Sequence, residues 1–544
     1  MVITFEWYYK CVKKLQVYFM AALVAVLSLA LANPEERLLD EQFWKSANAQ
    51  AVRAQVAEGA LVKTSDDEQN TPLHYAAHYA ADAGAVKALI ALGADLAAVN
   101  DEGRTPLHLA AAYNPNPAVS AVLVKAGSEL EVDDEGGETP LHLAARLNPN
   151  PQVMARLIEL GADLEAVDGD GWTALLSAAS NGDPIRIKIA LEAGASVLAR
   201  GSSGQTALHM AASSAADPEA VELLLDAGIP ADALDDDEWT ALHYAAAWND
   251  TEAATQIMRL LIDAGLDVNQ PSNINETPLH AAARMDGNTG TINFLVAYGA
   301  KVNAKDDDGW TPLHGAANGG NVDAITALVK LGADLEARDM LYETPLLLAL
   351  QAGDDYASAE TLVSLGANVN AADRRGWTLM HFLAQNAESP EELDEWLEAG
   401  ADVNTRSAVG ETPLHVAARF NSNPDVLRHM VKDMGARLEA KDGDGWTPLM
   451  SAARAGMTDN VRLLAKLGAN VNTTSKLGRN ALHLAAEFNS DDETINALID
   501  LGVNQSLADV SGAYPWNLLM KNPDLSDSDL VLGIYPIDMH PEDR

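Results

Sequence analysis

Apolar and polar positions in this chain recur in one fixed order along most of its length. A phrase that begins at Thr71 returns at Thr105, Thr139, Thr173, Thr206, Thr240, Thr277, Thr311, Thr344, Thr378, Thr412 and Thr447. Asn480 and Tyr514 hold the same place in weaker copies. The steps are 34, 34, 34, 33, 34, 37, 34, 33, 34, 34, 35, 33 and 34 residues, a period of 33 to 34 with small insertions. A fixed period of this length marks an array of like units that bury their apolar faces against one another.

The copy at Thr311 reads TPLHGAANGGNVDAITALVKLGADLEARD, and each part has a local reason. Thr311 stands where a hydroxyl can cap a helix, and Pro312 falls in the first turn, where a missing N–H costs nothing. Leu313, Ala316 and Ala317 follow at helical spacing, the alanines small enough for neighbouring helices to approach closely. Asn318, Gly319 and Gly320 break that helix, and Val322, Ile325, Leu328 and Val329 predict the buried stripe of a second one. Gly332 ends it in the left-handed conformation that glycine tolerates best. The remaining residues are polar and extended, and turn back toward the next copy.

Other copies mark the second helix more plainly. Asn116-Pro117, Asn150-Pro151, Asp183-Pro184, Asp217-Pro218, Ser389-Pro390 and Asn423-Pro424 each set a capping side chain directly before a first-turn proline. These prolines predict helix beginnings.

The TPLH phrase, the paired alanines, the helix-ending glycine in GAD-like sequence and the period together resemble the ankyrin repeat. The resemblance implies an all-α ankyrin-repeat solenoid of about 15 units, counting degenerate caps, each unit a helix-turn-helix with a hairpin-like loop. Residues 71–513 carry thirteen repeats. Residues 33–70 read as an N-terminal capping repeat, because Phe43 to Gly59 keeps the second-helix pattern and Gly59 lies 34 residues before Gly93. Residues 514–544 read as a degenerate C-terminal cap and tail. Stacked at roughly 10 Å per layer, such an array reaches on the order of 150 Å. That form offers a concave surface of hairpin tips and first helices for a partner.

Residues 1–32 differ from everything after them. Lys10, Lys13 and Lys14 precede an apolar run from Val17 to Leu27, and Ala30 and Ala32 form an AxA-like cleavage site before Asn33. This pattern predicts a Sec-type signal peptide and an exported protein, periplasmic or secreted, that does not insert in a membrane once cleaved. The alternative is an uncleaved N-terminal anchor. Cys11 is the only cysteine and lies in this leader, so the remaining chain can form no disulfide.

Charge narrows the partner class. The chain has 79 Asp plus Glu against 36 Lys plus Arg, a formal net charge of -43. No basic stripe is present to neutralise phosphates, so nucleic acid is not an expected partner. Anionic membrane surfaces should repel the chain, whereas a cationic partner would be steered toward it.

Candidate chemistry is sparse. Ten histidines, His74, His108, His142, His209, His243, His280, His314, His381, His415 and His483, occupy the fourth place of the TPLH phrase. The resemblance implies that these imidazoles bond backbone groups joining adjacent units, a structural role. His78, His429 and His540 match no ligand spacing. With no phosphate-cradling loop, nucleophile elbow or zinc motif, no catalytic residue, metal site or cofactor is expected.

A double period runs through the hairpins. Trp172, Trp239, Trp310, Trp377 and Trp446 stand immediately before the Thr of every second unit, and Asp170, Asp237, Asp308 and Asp444 lie two residues before four of them. The resemblance implies that this position points toward the binding groove. Tryptophan is costly to expose and favoured where binding energy concentrates. The expectation is a contact strip for an extended, basic or amphipathic protein partner. Its rival is that each ring packs over its own hairpin and stiffens the stack.

A non-enzymatic, monomeric scaffold binding protein after export is therefore the sequence's first reading. A host-directed secreted effector, or an envelope accessory or inhibitor of a neighbouring enzyme, are its alternatives.

Overall fold

The computed structural model describes residues 34–525, apart from Asp250, 285–288, 352–355 and Asp491. The leader with its cleavage site, Cys11, His540 and the end of the C-terminal cap lie outside the described residues. Helices supply all the regular structure described: there is no strand among these residues, only an isolated bridge between Ala372 and Thr378. The chain forms two compact units that divide between Asn273 and Ile274.

In the first unit, first helices such as Pro72–Tyr79, Pro106–Tyr113 and Pro140–Arg146 alternate with second helices such as Ala83–Ala91, Pro117–Ala126 and Gln152–Glu159. First helices pack on first helices of the adjoining repeats, and second on second. The second unit repeats the scheme from Pro278–Arg284 to Pro515–Leu519. Close approach follows from the paired alanines, since Ala76, Ala77, Ala316 and Ala317 have no exposed surface. Beside them Leu73, Leu313, Ile325 and Leu328 are equally buried, and each such side chain contributes roughly 1.5–3 kcal/mol of hydrophobic stabilisation.

The helix-start reading holds closely. Asn116, Asn150, Asp183, Asp217 and Asn423 each accept the amide N–H two residues on, at 2.9–3.1 Å. Ser389 differs. Its own N–H is accepted by Glu392 at 2.8 Å, and a 3-10 turn Pro390–Leu393 leads into the short helix Asp394–Glu398, where Trp396 is buried. Gly332 takes φ +97° just beyond Val322–Lys330, as its place required.

The Phe43 to Gly59 stretch is not one helix. Glu41–Trp44 ends early, Asn48 caps a new helix Ala49–Ala57, and that helix packs on Ala83–Ala91 as a second helix does. Trp44 is fully buried and donates from Nε1 to the Leu38 carbonyl at 3.0 Å.

A buried asparagine ladder ties repeats together. Asn114 Nδ2 donates to the Ala77 and Ala80 carbonyls, and Asn421 Nδ2 to those of Ala384 and Ala387. Asn148, Asn249, Asn460 and Asn522 reach back in the same way. Helix ends leave carbonyls without intrahelical partners, and these amides satisfy them where water cannot enter.

Candidate partner-binding surface

Each tryptophan hairpin is built on an aspartate four residues earlier. Asp168, Asp235, Asp306, Asp373 and Asp442 accept the backbone N–H of Trp172, Trp239, Trp310, Trp377 and Trp446 on Oδ1, at 2.7–2.8 Å. The aspartate's own N–H donates to the tryptophan carbonyl, 2.9 Å for Asp442 and Trp446. A positive-φ residue completes the turn: Gly171, Gly309, Gly376 and Gly445 in four cases, and Glu238 at φ 60° in the fifth. Burial raises the Asp306 carboxyl above the ordinary range, against the N–H groups that favour its charge.

The histidines then join these turns to the preceding repeat. His142, His209, His280 and His415 place Nε2 at 2.8–3.1 Å from the carbonyl oxygens of Trp172, Trp239, Trp310 and Trp446. Each Nδ1 accepts the N–H of its own TPLH threonine, 3.0 Å at Thr311 and His314. Capping therefore runs through the ring; where Met450 replaces histidine, the Thr447 hydroxyl accepts from the Met450 N–H at 3.4 Å. An Nδ1 that accepts and an Nε2 that donates define a neutral imidazole. Burial pushes His314 and His381 down to about 4 and lowers His209, His280 and His415 in the same direction.

All five tryptophans are half-buried. Trp239, Trp310 and Trp377 stack over the histidine of their own repeat, with centroids 5.3, 6.4 and 5.9 Å apart. Trp377 also carries the Arg375 guanidinium at 4.8 Å, and Trp446 that of Arg454 at 5.4 Å. One face of these rings is thus engaged within the fold. Asp170, Asp237, Asp308 and Asp444 stand exposed at the turn tips. Their carbonyls accept the amides of Ser202, Asn273, Met340 and Lys476 in the following repeat, at 2.7–3.0 Å. Tryptophan and exposed carboxylate therefore share four of the five hairpins, and in the fifth Arg375 takes the place of the carboxylate beside Trp377.

Two further surface features were not read from the sequence. The last turns of several first helices expose a large apolar side chain: Tyr113, Leu147 and Trp248 in the first unit, Phe420 and Phe488 in the second, all 37–48% exposed. Each is the fifth residue after a TPLH histidine. The turn tips also differ between units. Glu68, Glu102, Asp170 and Asp237 make the first unit's tips acidic, with Gly136 and Ser203 between. In the second unit exposed Ile274, Leu341, Val409 and Leu477 alternate with Asp308, Arg375 and Asp444.

At three of the four places where glutamate replaces tryptophan before the Thr, it meets an arginine eight residues on; Glu343 meets Gln351 instead, at 3.1 Å. Glu138 pairs with Arg146 at 2.6 Å, Glu276 with Arg284 at 2.8 Å and Glu411 with Arg419 at 2.9 Å. Among the described residues no cluster of three metal-ligating side chains occurs, and no helix is long and apolar enough to cross a membrane.

A family model described as "Ankyrin repeats (3 copies)" matches seven overlapping stretches, 77–168, 141–233, 212–306, 286–373, 346–442, 379–475 and 414–509. Human "SH3 and multiple ankyrin repeat domains protein 2" is 32% identical over 260 residues, 47% of this chain and 10% of that protein. Mouse "Protein phosphatase 1 regulatory subunit 27" is 42% identical over 72 residues, 13% of this chain and 45% of that protein. Mouse "RelA-associated inhibitor" is 41% identical over 93 residues, 14% of this chain and 11% of that protein. The chain thus spans less than half the length of each of these relatives.

Proposed function

From the premise that this chain belongs to the ankyrin-repeat family, we propose that it is a non-enzymatic scaffold that grips a partner protein with the hairpin tips and first helices of its repeats. The observation that carries this reading is the exposed apolar register at the first-helix ends, with Tyr113 and Leu147 in consecutive repeats and Phe420 and Phe488 two repeats apart. Large apolar side chains left exposed at one repeated place mark an interaction surface. The half-buried tryptophans border that surface and add aromatic area beside exposed carboxylates.

A basic or amphipathic partner suits this chemistry. A cleft in the first unit is lined by Glu68, Tyr75, His78, Tyr79, Asp101 and Glu102, where carboxylates and ring faces both attract a cationic side chain. The names of two similar proteins, a phosphatase regulatory subunit and an inhibitor, favour an accessory or inhibitory role over a host-directed one. Export as a cleaved monomer completes the proposal, resting on the leader's basic run, apolar core and AxA-like site.

Affinity capture by the chain from a lysate of its own source, with a Trp310→Ala/Trp377→Ala variant alongside, tests the surface. A protein retained by the parent and lost from a variant of unchanged helicity supports it. Equal retention by both removes the tryptophan strip from the site, and clean turnover of any substrate in a broad panel overturns the scaffold reading. Fractionation of the source decides export.

A further inference from the structure

Three repeats share a built-in ion pair: the glutamates at 138, 276 and 411 each neutralise the arginine eight positions later. Arg479 and Glu487 make the same pair with the charges exchanged, at 2.6 Å. The repeat beginning at Thr447 keeps the arginine, Arg454, but Trp446 stands where its glutamate would be. Among the described residues no carboxylate pairs with Arg454, and its buried Nε has no hydrogen-bond partner. Two rings hold the guanidinium instead. Its carbon lies 5.4 Å from the centroid of Trp446 and 4.8 Å from that of Phe488, which is itself exposed at the end of the next first helix.

We propose that Arg454, fixed between Trp446 and Phe488, is the docking point for a carboxylate presented by the partner protein, an inference that rests on the protein-binding reading above. Ring faces hold the planar cation without satisfying its N–H groups, which lie in the guanidinium plane and favour a bidentate carboxylate. Holding the side chain in advance removes rotamer freedom that binding would otherwise have to quench. The neighbouring carboxylate of Glu487 is already engaged by Arg479. With a net charge of -43 the chain disfavours free anions at a distance. The fitting ligand is therefore an Asp, Glu or C-terminal carboxylate carried by an otherwise apolar or basic segment.

Arginine footprinting of the whole chain with phenylglyoxal, read by peptide mass, tests this without any knowledge of the partner. Arg454 is expected to react about threefold or more faster than the ion-paired Arg419, and N-acetylglutamate amide to slow Arg454 about twofold while the neutral glutamine analogue at matched ionic strength does not. Trp446→Glu recreates the pair that Glu411 makes with Arg419, and should bring Arg454 down to the rate of Arg419 with helix content unchanged. Equal rates at Arg454 and Arg419 in the parent, or equal effects of the two probes, overturn the proposal. Because the readout is a reaction rate at one guanidinium, its failure is distinct from failure to capture a partner protein.

Discussion

The Nε2 of His314 lies 3.2 Å from the carbonyl oxygen of Glu343, one repeat further along the chain. That bond needs a neutral ring, because Nδ1 is occupied as an acceptor by the Thr311 N–H at 3.0 Å. Burial holds the His314 imidazole at about 4, below its ordinary 6.5. The folded state therefore binds the proton more weakly than the unfolded chain does. Stability from this group is complete above 6.5 and is lost as pH falls from there toward 4. On acidification from about pH 7 to about pH 5, His314 should withdraw on the order of 1–2 kcal/mol. Urea midpoints across this range measure it, and His314→Gln should flatten the slope. Relief of carboxylate repulsion acts in the opposite direction in parent and variant alike, so a His314→Gln slope equal to the parent's would refute the assignment.

Asn421→Ala removes both donors from the Ala384 and Ala387 carbonyls in a site closed to water. The expected cost is about 1–3 kcal/mol. Asn421→Asp is nearly isosteric yet turns an acceptor toward two acceptors, so it should cost about 3 kcal/mol or more near neutrality and less in acid, where a protonated carboxyl can donate. Thermal melts of the two variants at two pH values distinguish lost bonding from lost volume.

Asp442 and Asp444 sit two residues apart in one hairpin with different duties. Asp442 accepts the N–H groups of Trp446 and Asp444, at 2.8 and 2.9 Å, whereas the Asp444 side chain is exposed. Asp442→Ala is expected to destabilise by about 1–3 kcal/mol and Asp444→Ala by less than about 0.5 kcal/mol. If Asp444→Ala weakens partner capture with melting unchanged, the exposed carboxylate belongs to the contact strip. Hydrogen exchange at Trp446 reports the turn directly.

Gly376 and Gly332 both take positive φ, +75° and +97°, but only one is crowded. A Cβ on Gly376 would lie 2.5 Å from the Ala408 amide nitrogen, while none of the surroundings comes within 4 Å at Gly332. Gly332→Ala should cost about 1–2 kcal/mol from backbone strain alone. Gly376→Ala should cost clearly more, because the Ala408 N–H to Arg375 carbonyl bond at 2.7 Å must shift with it. Chemical denaturation of the two variants side by side ranks them.

The repeat architecture was legible because it is written in local chemistry: proline after a capping residue, alanine pairs, and glycine at helix ends each act within a few residues. Ring-to-carbonyl contacts from His142 to Trp172 followed from the family resemblance, since only a stacked neighbour supplies the acceptor. The site was less legible. Asp170, Asp237, Asp308 and Asp444 drew notice for their nearness to tryptophan, yet the aspartates that build the turns lie two residues earlier, where side-chain reach to two amides decides the role. The exposed ends at Tyr113 and Phe420 escaped notice because an apolar residue closing a helix reads as core until its neighbours are known to be alanines. Trp44 was not legible as core for the converse reason: nothing local announces that the tryptophan ending a four-residue helix is fully buried.

The turn tips of the two units carry different side chains on the same backbone ladder. These tips give their carbonyls to the neighbouring repeat, as Asp308 does with Met340 and Leu341 with Arg374, so that bond asks nothing of the side chain there. Such positions can drift in identity while the backbone hydrogen bonds stay as they are. One polypeptide can in this way keep a saline-facing half and a greasier half, and change what it adheres to by point substitution at a handful of loop apices.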